Sequence, residues 1–487
     1  MRIVKPMARG SESTTVDRLT ATEASFLEAE DAEPDLSLAI GTLAIIDGPI
    51  PARAKLTAAL SKGLHAVPRL AQLVRKHPFE LTPPEWVGDN DFDITRHVRS
   101  AALPRPGDDA ALFQTIAELM EPRLARNHPL WECWVIDGLP DGRWAALIKI
   151  HQCIADATAT LQILASISDP RTYRAVIDEI HAAEEQRSAI SRQAGLGLNP
   201  LTWVGEVWRT SVATANAAAH SALGAAELAT GLVAGAADSR PNGVVTDTRR
   251  YSAVRVARRG IDEVCEIFDV TPEDVALAAI TDSFRGDLLR RGEKPRRTSV
   301  RALVPISAQT SDALNRSDIR GPAAILPCLP VEEDDPVQRL RLVHTRLDKA
   351  KKNSHRQAAS SFVTLSSYVP FIVSAWTVRL LTRLPQRSVV TLATGVPGTR
   401  QRLQMLGRPV EELLPIPPIA PQLPTVITML SYVDTLVFGI TGDCNAAIDV
   451  GELATGIELG IARLLARALA RKQTRGKQSG PDSASAN

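Results

Sequence analysis

Seven consecutive residues, His151-Gln152-Cys153-Ile154-Ala155-Asp156-Ala157, hold the densest group of side chains able to do chemistry in this chain. Histidine titrates near neutrality, so it is the side chain best suited to take a proton from a hydroxyl. Asp156 need not touch a substrate; buried and paired with an arginine, it can lock the loop that aims a base. Cys153 has a nucleophile's atom but also the size of a core residue. Alone, a histidine near an aspartate says little, because nine histidines in 487 residues make such neighbours common. No rival chemistry competes: the sequence has no G-x-S-x-G, G-x-x-x-x-G-K, H-E-x-x-H or G-x-G-x-x-G.

The elements that must carry these residues are readable. The run W-A-A-L-I-K-I at 144–150 is aliphatic, has no breaker and reads as a strand that delivers the motif to a loop. Residues 37–46 read as another strand, 109–126 as a helix, and Leu161, Ile163, Leu164 and Ile167 as the apolar face of a helix leaving the motif. Residues 181–245 differ in kind. They are alanine-rich, interrupted at Gly195, Gly197 and Pro200, and are expected to form a helical connector.

Beyond the connector, strands are expected at 251–257, 299–306, 323–329 and 388–394, and a hairpin at 425–432 and 435–440 turning through Val433-Asp434. Thr271-Pro272-Glu273-Asp274 is a helix start, with an N-cap threonine, proline at the first position and an acid that can bond back to the cap. A last helix covers 450–471, and the polar residues 472–487 read as a disordered tail.

Composition bounds the function. An apolar fraction of 44%, a charged fraction of 23% and a formal charge of +1 describe a globular protein with no field for nucleic acid. Five scattered cysteines without a C-x-x-C argue against a disulfide framework or a metal site, and fit a reducing cytosol. No apolar stretch follows Arg2, Lys5 and Arg9, so no signal peptide is expected. Residues 362–378 carry no charge and lie between basic flanks (Lys349, Lys351, Lys352 and Arg356 before; Arg379 and Arg383 after). They are too short for a span, and read as a core helix or as a surface helix dipping into lipid with Tyr368 and Trp376 at the interface.

Several ordered blocks carry a resemblance. L-T-A-T-E-A-S-F-L at 19–27 is similar to L-S-x-x-D-x-x-F-L, and P-L-W at 129–131 is followed by I-D-G-L at 136–139. E-D-V-A-L-A at 273–278 matches N-D-x-x-L-A without its asparagine, R-A-L-V-P-I-S at 301–307 is close to a family strand, and G-V-P-G-T at 395–399 resembles N-V-P-G-P. With H-Q-C-I-A-D-A standing for H-H-x-x-x-D-G, the chain resembles the bacterial wax ester synthase/diacylglycerol acyltransferase family, common in actinobacteria, of the CoA-dependent acyltransferase superfamily.

The resemblance implies an α/β protein of two chloramphenicol-acetyltransferase-like mixed-sheet halves facing each other across a substrate tunnel. Residues 1–180 would be the motif-bearing half, 246–471 the second half. It implies acyl-CoA as co-substrate with no bound cofactor or metal, and diacylglycerol or a long-chain alcohol as acceptor. The place would be the cytoplasm, at the inner membrane face or a lipid-droplet surface. Its site residues fall on His151 (supporting), Gln152 (the general-base position) and Asp156. The departures sit at the chemistry. A glutamine amide takes no proton at neutral pH, and Ala157 replaces a glycine whose use would be a positive φ or a close approach. The family forms no acyl-enzyme, so Cys153 is expected in the core. Two readings follow: an acyltransferase making triacylglycerol or wax ester, or a degenerate relative that binds acyl chains or a partner without turnover. A free-standing condensation-domain-like enzyme is more distant.

Overall fold

In the computed structural model the described residues are 17–64, 67–76, 83–155, 157–166, 174, 246–306, 323–325, 327–358, 389–419, 423–445 and 448–478. The connector expected at 181–245, the apolar segment at 362–378 and Asp156 lie outside them.

The first half runs α1 (Ala21–Ala32), β1 (Ala39–Ile46), α2 (Arg53–Leu64), β2 (Gln72–Arg75), β3 (Glu85–Gly88), β4 (Val98–Ala102), α3 (Asp109–Met120), β5 (Trp131–Asp137), β6 (Trp144–His151) and α4 (Ala157–Ser166). A capping box starts α1: Thr20 Oγ1 accepts from the Glu23 N–H at 3.2 Å and Glu23 accepts from the Thr20 N–H at 2.7 Å. β1 and β6 pair antiparallel along their whole length, and all their residues are buried. Both faces are covered, which is why their sequences are mostly apolar rather than alternating, with Thr42, Lys149 and His151 as the buried polar exceptions. α3 stops at Met120, short of the expected 126, because Pro122 follows and lacks the N–H a helix would use. Its free carbonyl ends are taken by Lys149, whose Nζ donates to Leu119 O (2.8 Å) and Pro122 O (2.5 Å).

The second half contains β7 (Arg249–Ala257), β8 (Arg301–Ile306), β9 (Ala323–Ile325), β10 (Val389–Thr399), β11 (Gln404–Met405), β12 (Arg408–Ile416), β13 (Thr425–Tyr432) and β14 (Thr435–Asp443). Its helices are Arg258–Phe268, Pro272–Arg290, Pro336–Ala358 and Val450–Gln478. The sheet order is β7-β14-β13-β10-β8-β9, parallel where β10 meets β13 and β8 and antiparallel elsewhere. The capping box at Thr271 is present, and the hairpin turns at Val433 with φ 52°. Helix Val450–Gln478 lies so close to helix Pro272–Arg290 that a Cβ on Gly456 would fall 2.8 Å from Ser283 Cβ. The strand expected at 323–329 shrinks to Ala323–Ile325, while β10 extends through the G-V-P-G-T block. The last helix runs to Gln478, so the expected tail does not begin at 472; Lys472 is fastened to Glu263 at 2.8 Å.

The halves are not contiguous in the chain. The first sheet has the order β11-β12-β1-β6-β5-β4, so a ribbon from the second half completes it. Tyr432 secures the exit of this ribbon, accepting from the Leu403 N–H (2.9 Å) and donating to Val410 O (2.8 Å). β7 then faces the first half. Tyr251 donates to Pro415 O at 3.0 Å, and Arg255 pairs with Glu412 at 2.8 Å and Asp109 at 2.6 Å. Among the described residues no helix is long and apolar enough to cross a membrane.

Candidate active site

β6 ends at His151, opposite Ala39 at the start of β1. The chain then turns through Gln152, Cys153 and Ile154, closed by the Ile154 N–H donating to His151 O at 2.9 Å, and enters α4 at Ala157. Two bonds anchor this turn to its neighbours. His151 N–H donates to Leu130 O in the P-L-W block (3.0 Å), and Gln152 N–H donates to Leu38 O (3.2 Å). Trp131 and Leu130 are themselves core residues, so the block acts as a scaffold for the turn.

The His151 ring is 1% exposed and points into the first half. Its Nδ1 accepts from the Cys153 N–H at 3.1 Å, and its Nε2 lies 3.4 Å from Glu30 Oε2. The second contact is too long or bent for a full hydrogen bond. Burial lowers the pKa of His151 and Glu30 works the other way; with Nδ1 occupied by a donor, the neutral ring carries its proton on Nε2.

Glu30, near the end of α1, is equally buried. Its Oε1 accepts from the Leu38 N–H at 3.0 Å, and Oε2 is paired with Arg126. Burial pushes its pKa up, but His151, Arg126 and the Leu38 N–H outweigh burial and bring it to about 2. Arg123 donates to Leu36 O at 2.8 Å, and Arg249, from the second half, donates to Ser37 O at 3.0 Å. The three residues 36–38 therefore join α1, the segment after α3, the motif turn and β7.

Gln152 is half-buried, and among the described residues its side chain makes no hydrogen bond. Cys153 is 1% exposed and burial pushes its thiol pKa strongly up, which fits a core residue. Ala157 is the first residue of α4. Asp156 lies outside the described residues. The buried charges Glu30, Lys149 and Arg249 and the half-buried Arg126 were not singled out from sequence; Glu30 is one of four acids on α1, with Glu23, Glu28 and Asp31, and nothing local sets it apart. Asp274 of the E-D-V-A-L-A block is the cap partner of Thr271 and also contacts His344 Nδ1 at 2.8 Å, which is structural work. Among the described residues no cluster of His, Cys, Asp or Glu could hold a metal.

The family model for the wax ester synthase/diacylglycerol acyltransferase catalytic domain matches residues 19–276, and that for the C-terminal domain of the same family matches 323–464. The probable diacylglycerol O-acyltransferase tgs1 of Mycobacterium tuberculosis is 46% identical over 460 residues, covering 94% of this chain and 98% of that protein. The chain belongs to the wax ester synthase/diacylglycerol acyltransferase family. Among solved structures, the wax ester synthase/diacylglycerol acyltransferase from Marinobacter aquaeolei VT8 matches with a TM-score of 0.62 at 20% identity, over 93% of this chain and 99% of that one. The first condensation domain of the calcium-dependent antibiotic synthetase matches with a TM-score of 0.60 at 14% identity, over 94% and 97%. At those identities the likeness is one of fold, and it fits the expected pair of mixed-sheet halves. In this member of the family, the loop after β6 reads His-Gln where the family resemblance expects His-His.

Proposed function

We propose that the protein is an acyl-CoA-dependent O-acyltransferase that moves a long-chain acyl group to diacylglycerol or to a long-chain alcohol. The family and the activity named for the tgs1 relative support the reaction class. The observation that carries the reading to this chain is the intact mount of the motif turn: β6 before it, α4 after it, and backbone bonds to Leu130 and Leu38 holding it. Acyl-CoA and acceptor would meet between the two halves beside Gln152.

In the reaction the acceptor oxygen bonds to the thioester carbonyl carbon, the carbon–sulfur bond breaks, and the departing CoA thiolate takes up the hydroxyl proton. Gln152 can accept a hydrogen bond from the hydroxyl and so orient it, but it cannot remove the proton. Its share of the acceleration is then positioning, a term large enough to sustain turnover without a base. His151 is not a substitute base, because it is buried with both ring nitrogens directed at protein groups.

That same burial favours a second reading, binding of acyl-CoA without turnover, since neither residue of the pair offers an accessible base. Purified protein given a long-chain acyl-CoA, with diacylglycerol and hexadecanol offered in parallel, separates the two. Ester formation above the protein-free rate supports the transferase; bound acyl-CoA with no ester supports the binder.

The uncharged residues 362–378 with their basic flanks support peripheral attachment to anionic lipid. Flotation with anionic liposomes at low salt should carry the protein up, and high salt should release it. Protein remaining at the bottom at low salt would remove this part of the proposal.

A further inference from the structure

We propose that Glu30 is the positioning residue of this site: it holds His151 in the Nε2–H tautomer and, through it, the turn that presents Gln152. The proposal rests on the acyl-transfer reading only for its kinetic consequence.

Two separate routes lead from the Glu30 carboxylate to Gln152. The first runs through the ring. Glu30 Oε2 lies 3.4 Å from His151 Nε2, and His151 Nδ1 receives the N–H of Cys153, the residue after Gln152, at 3.1 Å. The second runs through the backbone. Glu30 Oε1 takes the Leu38 N–H at 3.0 Å, and the carbonyl of the same Leu38 takes the Gln152 N–H at 3.2 Å. One carboxylate therefore grips both flanks of the residue at the base position.

The tautomer is the sensitive part. An ionised carboxylate only accepts, so it favours a proton on Nε2 and leaves Nδ1 free to accept. With the proton on Nδ1 instead, two donors, Nδ1–H and the Cys153 N–H, would oppose each other and the turn would open. Arg126 keeps the carboxylate ionised and in place, as its ion pair with Glu30 Oε2 requires. Both Glu30 and His151 are 1% exposed, so Glu30 touches no substrate and acts only through the turn.

Glu30→Gln tests this with almost no change of shape. Its oxygen can serve either the Leu38 N–H or the His151 side, not both. With the oxygen on Leu38, the amide NH2 faces Nε2 and Arg126 and drives the ring proton to Nδ1; with the oxygen on His151 and Arg126, the Leu38 N–H loses its acceptor and the backbone route to Gln152 is cut. Selective ¹⁵N-histidine labelling of the full chain, with the His151 signal assigned by its loss in His151→Asn, reads the tautomer directly.

The wild type is expected to show a protonated Nε2 and a bare Nδ1, and Glu30→Gln a shift of the proton to Nδ1. kcat should fall about 10-fold or more, on the scale by which small misplacements slow reactions, with the KM for acyl-CoA unchanged. Glu30→Asp, which keeps the carboxylate, should restore the wild-type tautomer and part of kcat. A wild-type tautomer together with wild-type kcat in Glu30→Gln, or a loss of melting temperature with kcat intact, would overturn the proposal and leave Glu30 as a structural ion-pair partner. Absence of turnover in the wild type would defeat the acyl-transfer reading instead, and the tautomer measurement would still decide the role of Glu30.

Discussion

The backbone N–H of Cys153 donates to Nδ1 of His151 across 3.1 Å, and this bond acts together with the Glu30 carboxylate 3.4 Å from Nε2 on how the histidine of the motif is protonated. A ring nitrogen that accepts from a peptide N–H cannot carry a proton, so the neutral ring presents Nε2–H to Glu30 and nothing to solvent. The histidine is thus part of the scaffold of the turn.

The buried pair makes stability depend on pH in two windows. Burial lowers the folded-state pKa of His151 below its ordinary value of 6.5. Its contribution is therefore full above about 6.5 and is lost as the pH falls, because the unfolded ring gains a proton that the folded ring resists. Glu30, brought from 4.5 to about 2, contributes above about 4.5 and loses that contribution as the pH falls toward 2. The second window corresponds to roughly 3 kcal/mol. The melting temperature should decline from about pH 6.5 downward and more steeply below about 4.5, and Glu30→Gln should flatten the lower part. A melting temperature unchanged between about pH 7 and 4 would contradict the buried arrangement.

Cys153 should play no covalent part. It is 1% exposed and burial holds its thiol in the protonated form. Cys153→Ala should retain turnover, and intact-mass spectrometry during acyl-CoA consumption should find no acylated chain. An adduct on Cys153 would replace direct attack by a two-step route.

Much of the frame around the motif was legible because it is written locally. The apolar run ending at His151 contains no breaker, and Thr271-Pro272-Glu273-Asp274 has every part of a capping box within four positions. β12 was not legible. Its sequence R-P-V-E-E-L-L-P-I carries Pro409 and Pro415, which argue against a strand deep in a sheet, and its partner β1 is supplied by the other half of the chain. Glu30 was hidden for the same reason. An acid on a helix reads as a solvated face until the fold brings His151 and Arg126 to it.

The ribbon that crosses between the sheets should depend on Tyr432. Its hydroxyl is buried and serves both Leu403 N–H and Val410 O at 2.9 and 2.8 Å. Tyr432→Phe leaves those two backbone groups without their partner, and a buried polar group so stranded costs about 1–3 kcal/mol. A lower melting temperature together with faster proteolysis within residues 399–416 is expected. An unchanged melting temperature would mean that the sheet pairing of β12 with β1 holds the ribbon by itself.

Restoring the base is the sharpest test of the chemistry. The turn that carries residue 152 is anchored through its backbone, by the Gln152 N–H to Leu38 O and by the neighbouring bonds of His151 and Cys153. A change of side chain at 152 leaves those anchors in place. Gln152→His should therefore deliver an imidazole to the base position and raise acyl transfer by something like 10²-fold, the scale on which general bases act. Adding Ala157→Gly should bring no further gain and should cost up to about 1 kcal/mol of stability, since glycine is a poorer helix former than the alanine that opens α4. His151→Ala in the wild type should lower stability more than it lowers the rate per folded molecule, because the ring fills a buried place beside Glu30. Ester formation measured per folded protein in these variants checks all three. Wild-type turnover that His151→Ala abolishes without unfolding would make His151 the base after all, and inactivity of both the wild type and Gln152→His would transfer the protein to the binding reading.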